Sequence, residues 1–245
     1  MSAAPGHKPK RHDLRQSASV LTAPPLFYGA AAVQLVLDHV SIARGGRRII
    51  SDLSLKVSAG QALLLTGANG AGKTTLIRAI AGLLAPLSGR IALEGADGER
   101  DLAQQCHYVG HVNALKASLT VVENLQFWAA YLGDGGEPAH VQASGVQAAL
   151  ERLDLDTLAD VPAAYLSAGQ KRRVGLARIL TAKRPVWLLD EPTVSLDTAS
   201  VEIVSRMIND HTTAGGLALI ATHLPLALTA PQNLRLTSAR EVEPA

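Results

Sequence analysis

Gly67-Ala68-Asn69-Gly70-Ala71-Gly72-Lys73-Thr74-Thr75 fits the phosphate-binding pattern GxxxxGK[ST] at every fixed position. The order of residue types has a physical reason. Glycines at 67, 70 and 72 let the backbone curl so that successive N–H groups converge on phosphate oxygens, and the chain after Gly72 can open a helix whose positive end faces the same anion. Lys73 adds a cation for the outer phosphates, and the Thr74 hydroxyl is placed to ligate Mg²⁺. The preceding run, Gln61-Ala62-Leu63-Leu64-Leu65, is short, apolar and bounded by Gly60 and Gly67, as a buried parallel strand should be. Strand, loop and helix together predict a nucleotide site.

Composition bounds the rest. A chain of 245 residues with 47% apolar side chains can bury a substantial core. Its single cysteine, Cys106, excludes an internal disulfide, suits a reducing compartment and reads as a small buried hydrophobe. Of the net charge of +2, residues 1–32 hold Lys8, Lys10, Arg11 and Arg15 against Asp13, which leaves the body near neutrality and argues against a nucleic-acid partner. No stretch has the run of about 18 apolar residues that a membrane span needs, so any membrane contact would come through a partner. Residues 1–32 lack periodicity and are expected to be a mobile basic tail, with a true start near Val33 as the alternative.

Residues 33–42 and 53–57 alternate as strands about Gly45-Gly46 and predict a small antiparallel flap with Arg44 at its tip. A helix is expected over 74–84, with short strands over 90–93 and 108–109. Residues 112–165 are rich in Ala, Leu and Gln and predict two helices, broken at Gly133-Asp134-Gly135-Gly136. Val121, Leu125, Trp128 and Ala129 share one face, and Val146, Ala149, Leu150 and Leu153 share another; these are core, or a groove for another protein's helix. A helix follows Leu166-Ser167-Ala168-Gly169-Gln170, an apolar strand ends at Asp190-Glu191-Pro192, residues 200–211 are helical, and His223 follows a last strand over 217–221. Functional side chains at the carboxyl ends of parallel strands are what an α/β sheet offers.

This order of motifs resembles the ATP-binding cassette family from Val33 to about Leu236. The resemblance implies an α/β P-loop NTPase core with an antiparallel β flap and an inserted helical subdomain of about 112–180, all within one domain over 33–245. It implies ATP and Mg²⁺ as ligands, Glu191 as general base, His223 as γ-phosphate sensor, and Lys73 as a catalytic cation. It also implies an ATP-driven homodimer in which Ser167, Ala168, Gly169 and Gln170 of one copy close over the nucleotide of the other, with Ser195-Leu196-Asp197 beside them. Three positions depart from the family pattern. Ala168 replaces a glycine, Arg44 replaces the aromatic that stacks on adenine, and His111 stands where a glutamine is usual, which puts it with Thr74 and Asp190 on the metal side.

With Tyr108-Val109-Gly110-His111, Tyr165-Leu166-Ser167-Ala168-Gly169-Gln170-Lys171-Arg172-Arg173-Val174 and Thr222-His223-Leu224-Pro225-Leu226, these departures resemble the ATPase subunits of the cytochrome c maturation system, historically called the haem exporter. That resemblance implies a peripheral protein on the cytoplasmic face of a bacterial inner membrane, docked on an integral-membrane transporter subunit. The rival expectations are the ATPase of another exporter and a cassette ATPase that works on nucleic acid or ribosomes. The near-neutral body and single cassette weigh against the second.

Overall fold

β1 (Gln34–Arg44) and β2 (Arg47–Ser58) pair antiparallel through a Gly45-Gly46 turn that sets Arg44 opposite Arg47. β4 (Ser88–Glu94) pairs with the other edge of β1, so the flap has three strands in the order β2-β1-β4. The computed structural model describes residues 32–133 and 138–237; the tail expected over 1–31 and the break at Asp134-Gly135-Gly136 lie outside them. The strand expected over 53–57 is longer than the alternation suggested. Register shifts interrupt the β1–β2 ladder, and His39 and Asp52 both take positive φ, so regular alternation is lost although pairing continues to Arg47.

β3 (Ala62–Thr66), β5 (Cys106–Val109), β6 (Val186–Asp190), β7 (Leu217–Ala221) and β8 (Gln232–Arg235) form a parallel sheet in the order β5-β6-β7-β3-β8. Its central strands are apolar on both faces because both faces are covered. Leu63, Leu65, Val186, Leu188, Leu217 and Leu219 join the flap and α1 (Lys73–Ile80) in one core. Trp187, Leu189, Ala218 and Ile220 join α5 (Thr198–Thr213) and the helical insert in the other.

α1 stops at Ile80 rather than at 84. Gly82 has φ 74, its N–H donates to the Ala79 carbonyl, and the Leu83 N–H donates to the Arg78 carbonyl, a pair of bonds that closes a helix end and turns the chain outward.

α2 (Val121–Leu132) packs on α3 (Ala139–Arg152), and both lie against α4 (Ala168–Ala177). Val121, Leu125 and Ala129 are buried with Val146, Ala149, Leu150 and Leu153, so the two stripes are core. Trp128 is different: it is half-buried at the edge of a groove, donates its indole N–H to the Ala114 carbonyl, and carries the Arg178 guanidinium 4.7 Å above its ring. His107 of β5 and His211 of α5 are buried, and desolvation lowers the pKa of each to about 3.

Candidate nucleotide site

The phosphate loop leaves the end of β3 and enters α1 directly. Gly67 has φ 136, and a Cβ there would collide with the Leu236 carbonyl oxygen; Gly72 has φ 103, and a Cβ there would lie 2.8 Å from Ile49 Cγ2. The loop is thus hemmed in by the chain after β8 on one side and by the flap on the other. Lys73 is 8% exposed and donates from Nζ to the Gly67 and Ala68 carbonyls at 2.8 and 3.1 Å, so its charge lies within the loop. α1 has no acidic residue in its first turn and no side-chain cap, which leaves its first N–H groups and its positive end free for an anion.

Thr74 Oγ1 donates to Asp190 Oδ1 at 3.0 Å, which joins the start of α1 to the end of β6. A hydroxyl and a carboxylate side by side are hard oxygen donors and fit Mg²⁺. The next residue turns away. Glu191 has φ 50, and its N–H donates to the Ala221 carbonyl at 2.8 Å. That turn sends its carboxylate away from Asp190 toward His223, whose Nε2 lies 3.4 Å from Glu191 Oε1 and whose backbone N–H donates to Oε2 at 3.4 Å. Both side chains are partly exposed, so water can reach the pair.

Ser167 caps α4. Its Oγ accepts from the Gln170 N–H at 3.2 Å, and Gln170 Oε1 accepts from the Ser167 N–H at 2.8 Å. Gly169 packs against the Ser195 carbonyl, where a Cβ would come within 2.8 Å. Asp197 caps α5 through the Ser200 N–H, and hydrogen bonding from the Ser200 side chain, then from its backbone, holds the Asp197 carboxyl below the usual range.

Lys73, Thr74, Asp190, Glu191 and His223 are therefore brought together in one chain. Among the described residues, no hydrogen bond or ion pair joins residues 167–170 to the phosphate loop. Arg44 is exposed at the hairpin end, and the flap behind it is braced by Ile49 and Ile50 against Gly72. His111 is exposed and lines the groove beside Trp128; no described contact links it to Thr74 or Asp190, and no cluster of three His, Cys, Asp or Glu side chains stands among the described residues.

A family profile described as ABC transporter matches residues 50–194. The chain belongs to the ABC transporter family. Within it, the chain is 48% identical over 196 residues to the "Cytochrome c biogenesis ATP-binding export protein CcmA" of Rhodopseudomonas palustris (strain BisB5), covering 80% of this chain and 94% of that protein. The protein of the same name from Agrobacterium fabrum is 43% identical over 213 residues, covering 86% of this chain and 99% of its own length. A solved structure described as an ATP binding subunit of an ABC transporter superposes with a TM-score of 0.68 at 26% identity, covering 78% of this chain and 79% of that one. The chain is thus an ABC ATPase of the CcmA type, as its signature and its departures at 44, 111 and 168 suggested.

One residue of this cassette stands in the sequence only as part of a longer stretch. Arg172 is 3% exposed on α4, one helical turn before the buried Leu176, and a charge at a buried position of an apolar helical stripe was the available signal.

Proposed function

We propose that two copies of this chain bind Mg²⁺-ATP between them, hydrolyse it, and use the closure of the dimer to drive an integral-membrane partner in c-type cytochrome assembly. The observation that carries the reading is the Glu191–His223 pair, set beside the shared Thr74–Asp190 oxygens at the carboxyl ends of neighbouring strands. In this reading Lys73 and the start of α1 hold the outer phosphates, with Arg44 near the base. Thr74 and Asp190 would hold Mg²⁺, which would supply positive charge against the phosphoryl oxygens when bound, with His111 as the further ligand the family pattern suggests. Glu191 orients and deprotonates the attacking water, and His223 reports on the γ-phosphate through that carboxylate. Ser167, Ala168, Gly169 and Gln170 of the second copy complete the anion site. Tyr165, Val194 and Leu224 support this pairing, because they are large apolar side chains left exposed beside those loops.

No helix of the described residues is long and apolar enough to cross a membrane. A groove of about 490 Å³, lined by Trp128, Tyr131, Leu83, Val112, Arg78 and Arg178, is the place for a helix of the membrane partner, since Leu83, Val112 and Tyr131 are largely exposed there. A peripheral position on the inner face of a bacterial inner membrane belongs to the same reading.

Glu191→Gln is expected to bind ATP and dimerise normally while hydrolysis falls by roughly 10²- to 10⁴-fold. Near-normal turnover in a coupled phosphate-release assay removes Glu191 from the role. In a deletion strain, haem staining of covalently bound cytochromes should be restored by the wild-type gene and not by Lys73→Ala; cytochromes that persist without the gene contradict the assignment to their maturation.

A further inference from the structure

Resting on the ATPase reading above, we infer that Arg172 is a positioning residue that holds Glu191 in its water-facing pose by pinning the carbonyls of the 190–192 turn to α4 and to the segment 110–113.

Each of its five N–H donors has an acceptor. Nε donates to the Pro192 carbonyl at 2.9 Å, and Nη2 donates to the Asp190 and Glu191 carbonyls at 3.2 and 2.7 Å. Nη1 donates to the Gly110 carbonyl at 2.7 Å and to Asn113 Oδ1 at 3.1 Å. Four of the five acceptors are main-chain carbonyls, and the guanidinium forms no ion pair among the described residues. Burial lowers its pKa, while the charges of Asp190 and Glu191 act the other way at longer range. A buried cation with no carboxylate in contact is an expensive way to hold a fold together, since an apolar side chain would fill the same space without desolvating a charge. What the planar fork supplies is direction, because it fixes several carbonyls at once in one geometry.

The carbonyls it fixes belong to the turn that aims the base. Glu191 has a positive φ, a conformation that a non-glycine residue keeps only when its surroundings enforce it. Its N–H is held by the Ala221 carbonyl, and its own carbonyl is held by Arg172. The same guanidinium grips Gly110, the residue before His111, and grows from the helix whose first turn is Ser167 to Gln170. Three segments remote in sequence therefore meet on one side chain, and the catalytic carboxylate is its neighbour. When α4 or segment 110–113 moves, the backbone of Glu191 moves with it.

The test uses the full-length chain with Mg²⁺-ATP and the variants Arg172→Gln and Arg172→Lys, each alone and combined with Glu191→Gln. Misplacing the base predicts that kcat falls by roughly 10- to 100-fold in Arg172→Gln while the ATP dissociation constant stays within about twofold. Arg172→Lys keeps the charge without the fork and should remain well below wild type. If Arg172 acts through Glu191, adding Glu191→Gln to Arg172→Gln lowers the rate only a few-fold further, whereas it removes about 100-fold or more from the wild type. A wild-type kcat in Arg172→Gln, corrected for the folded fraction, overturns the inference. So does a double variant that loses the full Glu191→Gln factor. If Arg172→Gln does not fold, Asn113→Ala carries the test: it removes one acceptor and keeps the guanidinium, and it should lower kcat a few-fold at unchanged ATP affinity, whereas an unchanged kcat overturns the pin. Failure of Glu191→Gln to slow the wild type is a separate result, and it strikes the ATPase reading itself.

Discussion

α2 and α4 begin with the same device and are put to different uses. Thr120 and Glu123 close a capping box at 3.2 and 2.8 Å; Ser167 and Gln170 close one at the same two distances. At α2 every early donor is occupied. The Val121 N–H goes to the Val161 carbonyl, the Val122 N–H to the Ala159 carbonyl, and the Glu123 N–H to its cap. Glu123 adds a negative charge to the positive end of the helix. At α4 only Gln170 has its cap, the N–H groups of Ala168 and Gly169 have no acceptor among the described residues, and the first turn holds no acid. α1 shares that open state. The same capping device thus accompanies a closed helix start in one place and an open one in the other; the charge at the third position and the freedom of two amides make the difference.

The largest expected effect treats both helix starts alike. His107 and His211 have folded pKa values of about 3 against an ordinary value of 6.5, chiefly through desolvation, and His107 also lies near Arg184 and Arg178. The unfolded chain therefore binds more protons between those values. The stability these histidines contribute is present above about pH 6.5 and is lost as pH falls toward 3, at about 1.4 kcal/mol per histidine per pH unit. Urea midpoints at about pH 7 and about pH 5 check this, and both helical regions should melt together. A midpoint that does not move with pH places the histidines elsewhere than in the core.

Gln170→Glu is next in size, because it gives the start of α4 the negative charge that Glu123 gives the start of α2. Hydrolysis should fall by roughly 100-fold with no loss of thermal stability. Smallest is the pair Thr120→Ala and Ser167→Ala. Each should lower stability by about 1 kcal/mol, and only Ser167→Ala should also slow hydrolysis. Equal effects on hydrolysis would erase the distinction between the two boxes.

The same contrast explains what was legible in the sequence. The phosphate loop, Asp190-Glu191 and the capped Ser167 stretch can be read because each is local: its residue types are set by backbone geometry and by ligands a few residues away. The two stripes on α2 and α3 were legible through their helical spacing. β8 was not, since Gln232-Asn233-Leu234-Arg235 is polar and, among the described residues, pairs with β3 alone, at the edge of the sheet. Trp128 left its stripe for the groove because its indole N–H needs the Ala114 carbonyl. The extra length of β2 is concealed by irregular pairing, and the early end of α1 is set by Gly82 and the two bonds that close the helix there. Arg172 was the hardest to see. Its acceptors are main-chain carbonyls at Gly110, Asp190, Glu191 and Pro192, and a carbonyl leaves no mark in the amino-acid pattern.

Sedimentation of the Glu191→Gln chain with Mg²⁺-ATP, compared with the same chain also carrying Gln170→Glu, tests the shared site most directly. The account predicts that ATP turns the first into a dimer and leaves the second monomeric, with equal ATP affinity for the isolated phosphate loop. A dimer of equal strength in both would show that the start of α4 does not meet the nucleotide of the second copy.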